Sequence, residues 1–187
     1  MNIGFAVTGS FCTHQKILEC MENLAKNHNL LPIFTQSVLE TDTRFGKAKD
    51  FYAKVENICG KKPVSTITEA EPIGPNNLID ILVIAPCTGN TLSKLANAQT
   101  DNAVTMIAKA HLRNNKPVVI GISTNDALGQ NAKNLATLLT SKNFYFVPFL
   151  QDDFEKKPKS LVADWGQMEE TILKAKNHMQ IQPLIKK

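Results

Sequence analysis

The sequence contains no Cys-x-x-Cys pair, no Gly-x-Gly-x-x-Gly, no internal repeat and no low-complexity tract. Its four cysteines, Cys12, Cys20, Cys59 and Cys87, lack metal-ligand spacing and nearby paired histidines, which argues against a zinc site or a disulfide framework and predicts reduced thiols. Without three glycines in the first strand-to-helix turn, a dinucleotide cannot be held in the usual way. No apolar run reaches the roughly 18 residues of a membrane span. No basic segment followed by an apolar one opens the chain, so a cytoplasmic protein is expected. Charged residues are 20% of the total with a net charge of +4, and Lys and Arg are scattered rather than striped. That pattern describes a solvated surface and gives no support to nucleic-acid binding. At 187 residues the chain can bury a full core, and a single domain over 1–187 is predicted.

What is present is organised around Leu78–Asn102. Leu78–Ala85 is apolar except for Asp80, as suits a strand covered on both faces in the middle of a parallel sheet. Pro86 is expected to stop that strand, Gly89 to allow an unusual backbone angle, and Asn90 or Thr91 to cap a helix carrying Leu92, Leu95 and Ala96 on one face. Earlier in the chain, Ile3–Val7 reads as a strand, Thr8–Thr13 as a small polar turn, and Gln15–Asn27 as a helix with Ile17, Leu18, Met21 and Leu24 at helical spacing. That helix carries no carboxylate until Glu19, so its N-terminus favours an anion, although an ordinary capped turn explains the same residues. Leu30–Phe34 is a second strand and Arg44–Cys59 an amphipathic helix. The proline-rich stretch 61–77 is mostly loop, with a short strand at Val64–Ile67.

Beyond the central segment, Ala103–Leu112 is a helix apolar enough to suggest burial on more than one side, including a subunit interface. Val118–Ile122 and Phe144–Phe149 are strands, with a helix bearing Leu135, Leu138 and Leu139 between them. Residues 151–164 are predicted to be a mobile loop and 165–178 a closing helix. In a parallel sheet the polar segments Gly9-Ser10, Thr35-Gln36-Ser37, Thr88-Gly89-Asn90-Thr91 and Ser123-Thr124-Asn125 fall on one edge. Together they make a rim rich in hydroxyls and amides and poor in acids and bases, suited to a phosphorylated, planar cofactor.

The segment Val83–Asn97 resembles the Pro-Ala-Ser-Ala-Asn-Thr signature of the homo-oligomeric flavin-containing cysteine decarboxylases. Gly9-Ser10 is similar to that family's first turn, Thr35 to the Thr after its second strand, and Thr124-Asn125 falls where its Met-Asn clasp would be. The resemblance covers about Ile3–Pro148. It implies an α/β, doubly wound, mainly parallel Rossmann-like flavoprotein fold. It also implies FMN held by Gly9, Ser10, Phe11, Thr35, Ser37, Pro86, Thr88, Gly89, Asn90, Thr91, Ser123 and Thr124, and assembly into trimers or multiples of them. No metal is implied.

A closer resemblance, running nearly end to end, is to the B subunits of dipicolinate synthase. It rests on Pro86–Thr91, Ile122–Gly129 and Gln151–Ala163. It implies a part in oxidising dihydrodipicolinate to dipicolinate during endospore formation, with NADP carried by a dehydrogenase-like A subunit. Asn90 and Asn125 are the candidate catalytic residues and would meet the dicarboxylate with backbone N–H groups, with Lys94 or Arg113 as cationic help. The decarboxylases carry a catalytic His in the loop before the central strand, whereas here residues 69–75 hold none. Cys87 stands where they have a small residue, and packing is the simpler role for it. Two alternatives stay open: a flavin-dependent decarboxylase, and a non-catalytic scaffold for a dehydrogenase partner.

Overall fold

The computed structural model describes residues 1–186. Four strands, β1 (Asn2–Val7), β2 (Asn29–Phe34), β3 (Ile81–Cys87) and β4 (Val118–Thr124), pair in parallel in the order β2-β1-β3-β4. Every residue of β3 is buried, as a central strand covered on both faces requires. Alternation assigns the faces. Ile3, Phe5, Val7, Ile81, Val83 and Ala85 join one apolar cluster with helices α1 (His14–Ala25), α3 (Ala48–Cys59) and α8 (Met168–Lys176). Ala6, Leu82, Ile84, Val118, Ile120 and Ile122 join the other, with α5 (Gly89–Ala96), α6 (Ala103–Arg113) and α7 (Ala132–Leu139). Helices α2 (Gln36–Glu40) and α4 (Ile67–Ala70) are single short turns between larger elements. The doubly wound, mainly parallel α/β fold is therefore as expected.

Several boundaries differ, each for a local reason. Leu78 is 49% exposed and β3 starts only at Ile81, because Asp80 is pinned to Asn2 by reciprocal bonds, its N–H to the Asn2 carbonyl and its carboxylate to the Asn2 N–H. Pro86 does not stop the strand: it is buried within β3, and the pairing with β4 slips between Ile84 and Cys87, where proline offers no N–H. The helix predicted from Arg44 begins at Ala48, whose N–H donates to Asp42 at 2.9 Å after a tight Thr43–Gly46 turn. Val64 makes only an isolated bridge to Ile33, and a capping box of Thr66 and Glu69 turns Ile67–Ala70 helical.

The expected last strand divides. Strand β5 (Phe144–Phe146) continues the parallel sheet beside the first half of β4, while β6 (Phe149–Leu150) forms an antiparallel hairpin with β7 (Leu161–Ala163) beside its last two residues. Strand β7 lies inside the stretch 151–164, expected to be loop. A 3₁₀ turn, Trp165–Gln167, precedes α8, so the closing helix is shorter than 165–178. In α6, residues Ala103, Val104, Thr105, Ile107, Ala108 and His111 are buried by their own chain, which accounts for the helix's apolar character without a neighbouring protomer. No helix among the described residues is long and apolar enough to cross a membrane.

Candidate functional site

The turns after β1, β2 and β3 lie side by side because those strands are parallel neighbours. They wall a cavity of about 450 Å³, within the size range of small-molecule sites. Of the residues predicted to hold a cofactor, Gly9, Phe11, Thr35, Ser37, Thr88, Asn90 and Thr91 line it, with Thr8, Gln36, Lys94, Asp101 and Asn102. The fourth predicted turn does not reach it, since β4 is one strand further out. Ser123 instead meets Ser10 hydroxyl to hydroxyl at 2.8 Å, tying the turn after β1 to the end of β4. Asn125 is exposed in the turn after β4, so one chain does not bring the two candidate catalytic asparagines, Asn90 and Asn125, together at this cavity. Arg113, at the far end of α6, does not line it either.

The frame of the site is a set of hydrogen bonds between chain-distant residues. The Thr8 hydroxyl donates to the Pro86 carbonyl at 2.6 Å and accepts the Thr88 N–H at 3.1 Å, locking the ends of β1 and β3. Sequence reading missed Thr8, since one threonine at a strand end reads as ordinary loop chemistry. Helix α5 is capped by Thr88, whose hydroxyl accepts the Thr91 N–H at 3.3 Å, rather than by Asn90 or Thr91. Gly89 has no left-handed angle. A Cβ there would stand 2.6 Å from Asn131 Nδ2 and 2.7 Å from Asp126 Oδ1, so glycine is needed for close approach. Behind it Asp126 accepts from Thr124 Oγ1 at 2.6 Å and from Asn131 Nδ2 at 2.7 Å, and Asn131 accepts from Asn134 at 2.8 Å. Thr124 and Gly89 thus shape the wall from behind and do not line the cavity.

The donors fit a phosphorylated planar group. The N–H groups of Gly9 and Phe11 donate to no protein acceptor among the described residues, and the first turn of α1 carries no acid. A Cβ on Gly9 would come within 3.1 Å of the Ser37 hydroxyl, closing the cradle. The cavity lining holds one cation and one anion, Lys94 and Asp101, paired at 2.5 Å, and the ammonium's hydrogen bond keeps the Asp101 carboxyl below the usual carboxylate range. No histidine lines it. His14 faces a smaller cavity of about 220 Å³ that shares Phe11 as a wall. It donates from Nε2 to the Thr8 carbonyl at 3.0 Å and stacks on Phe51 at 4.3 Å, and burial lowers its pKa, so it is neutral at pH 7. Cys87 is fully buried, and burial pushes its thiol far up, which leaves it a packing residue. No group of three or more His, Cys, Asp or Glu side chains is placed to hold a metal among the described residues.

The family model described as "Flavoprotein" matches residues 1–177. The chain is 48% identical over 184 residues to the B subunit of dipicolinate synthase from Bacillus subtilis (strain 168), covering 98% of this chain and 92% of that one. The crystal structure of the dipicolinate synthase B subunit from Bacillus halodurans superposes with a TM-score of 0.91 at 46% identity, over 100% of this chain and 96% of the other. An FMN-dependent cysteine decarboxylase, SpaF, shares the fold at a TM-score of 0.67 and 18% identity, over 94% of this chain and 97% of that one.

Proposed function

Because the chain belongs to the flavoprotein family, and within it to the B subunits of dipicolinate synthase, we propose that it binds FMN in the larger cavity and works with a dehydrogenase-like A subunit to oxidise dihydrodipicolinate to dipicolinate. The observation that carries this reading is the convergence of three neutral, hydroxyl-rich turns on one cavity of about 450 Å³ at the carboxyl edge of the sheet. The N–H groups of Gly9 and Phe11 and the Ser37 hydroxyl would hold the FMN phosphate, and the segment Thr88–Thr91 would line the rest of its site. When bound, FMN supplies a site able to take up a hydride equivalent. The protein's own residues bind and orient: Thr8 fixes the spacing of the two turns, Asn90 offers its amide to a substrate carboxylate, and Asn125 does so from an adjoining protomer of a homo-oligomer.

The overall reaction removes one hydride and one proton from the dihydropyridine ring, with NADP on the A subunit as hydride acceptor, giving dipicolinate and NADPH. No histidine lines the cavity to perform the proton chemistry of a decarboxylase, and its one acid and one amine, Asp101 and Lys94, are paired with each other. In the segment before β3, where such an enzyme keeps its histidine, the Glu69 carboxylate accepts the Ser65 and Thr66 N–H groups at 2.9 and 3.1 Å. It is engaged in capping.

Gly9→Asp tests the placement. It adds bulk and negative charge where the phosphate would lie, and is expected to abolish the shift in flavin absorption seen when FMN is added to the unaltered chain. Unchanged FMN affinity in a folded Gly9→Asp protein would remove the phosphate from this turn.

A further inference from the structure

The Lys94–Asp101 pair sits in the wall of the larger cavity, but the cofactor reading gives it no task. Lys94 lies six residues beyond Thr88, about 9 Å along α5, and it and Asp101 are the two charged residues of the lining. Its partner is held from two sides. Lys94 Nζ donates to Asp101 Oδ2 at 2.5 Å, and Asn102 Nδ2 donates to Asp101 Oδ1 at 3.0 Å. The Asn102 amide has no freedom to turn over, because its Oδ1 accepts the Thr105 N–H at 3.1 Å as the N-cap of α6. The Lys94 carbonyl in turn accepts the Gln99 N–H at 2.9 Å, which anchors the loop between α5 and α6.

An ammonium and an oriented amide therefore form a two-point clamp for one carboxylate, facing a cavity, and a side chain of the protein is in it. The Lys94 side chain is 22% exposed and that of Asp101 55%. A pair open on the acidic side contributes little net stability and exchanges partners at small cost. A carboxylate arriving from the cavity side would meet Lys94 with less water around it, where a charge-assisted hydrogen bond is stronger.

We propose that Lys94 and the Asn102 amide form a carboxylate-binding subsite of the larger cavity, in which Asp101 acts as an internal stand-in that yields its place to one carboxylate of a ring dicarboxylate ligand. This rests on the larger cavity being the ligand site. The consequence is opposite in sign for the two partners. Lys94 supports binding, whereas Asp101 competes with the ligand.

The test is a calorimetric titration of the full chain, saturated with FMN at low salt, with dipicolinate as probe, for the unaltered protein and for Lys94→Met, Lys94→Arg and Asp101→Asn. Lys94→Met should weaken dipicolinate binding by about tenfold or more, the worth of one charge-assisted bond. Lys94→Arg should keep most of the affinity. Asp101→Asn should tighten it by about threefold or more, the scale of an exposed ion pair. A weaker or unchanged affinity in Asp101→Asn overturns the proposal, since an Asp101 that merely steadies Lys94 gives that result. The flavin absorption shift in the same samples separates the two layers: FMN bound without dipicolinate binding refutes the subsite alone, and neither bound refutes the cavity as ligand site as well.

Discussion

Two glycines at the carboxyl edge act in different ways, and the difference can be measured. Gly9 borders the cavity, where a Cβ would come within 3.1 Å of the hydroxyl of the exposed Ser37 side chain and 3.5 Å of the Phe11 ring. Gly89 borders three polar atoms within 2.8 Å of its Cβ position, all of them engaged in the hydrogen-bond network around Asp126. An alanine at 89 must push Asn131 or Asp126 off its partner, combining overpacking with a lost buried hydrogen bond. Gly89→Ala is expected to cost about 1–3 kcal/mol of stability, read as a lower urea midpoint with an unchanged slope. A midpoint equal to that of the unaltered protein would show that the network relaxes freely. The sequence marks Gly89 only as a turn glycine. The atoms that exclude a side chain there come from residues 124–131, and their approach is not written in the local pattern.

Helix α6 shows how an element can be legible in outline and not in consequence. Its apolar spacing marks it as a helix, and Ala103–Arg113 is what forms. The spacing does not show that His111, in its last turn, is 3% exposed with Nε2 unpartnered among the described residues. Burial, then the nearby Lys116 charge, lowers the His111 pKa from 6.5 to about 4, against a smaller opposing effect of Asp80. A folded-state pKa below the unfolded one means that between these values the unfolded chain binds more protons. Stability conferred by neutral His111 is thus complete above pH 6.5 and drains away as pH falls toward 4. His111→Leu should flatten the pH dependence of unfolding free energy by roughly 2–3 kcal/mol between about pH 7 and about pH 4.5, leaving the same-signed contribution of buried His14. An equally steep profile in the variant would assign the acid lability to other groups. Strands β1 to β4 are readable because buried parallel strands are continuous apolar runs. The two- and three-residue strands β6 and β7 are not, because pairing at the end of β4, rather than any period in their sequence, makes them strands. The same distinction holds at the site. Each turn is visible in the sequence, but the roles of Thr8, Asp101 and Asn102 arise from contacts that span the fold or from a cavity that no single segment defines.

For the molecule as a whole the question is where the hydride goes. Oxidising a dihydropyridine needs an acceptor bound beside the ring, and a nicotinamide dinucleotide needs a cradle for its pyrophosphate. The turn after β1 offers Gly9 alone, followed by a 3₁₀ turn, Phe11–Thr13, whose Phe11 side chain lines both cavities. The cavity of about 450 Å³ that this turn borders has the size of one small-molecule site. On the division of labour proposed above, the nicotinamide sits on the A subunit, and this chain contributes FMN, substrate contacts or both. Dihydrodipicolinate and NADP mixed with this chain alone should yield no reduced nicotinamide; the A subunit alone should yield little; the two together should restore full turnover. In the combined mixture Lys94→Met should raise KM for dihydrodipicolinate if the carboxylate subsite serves the reaction, while Gly9→Asp should act through kcat if FMN takes part in it. Full activity from this chain alone would place the dinucleotide here despite the single glycine of its first turn. Full activity from the A subunit alone, unaffected by adding this chain, would make it a scaffold whose cavity serves another purpose.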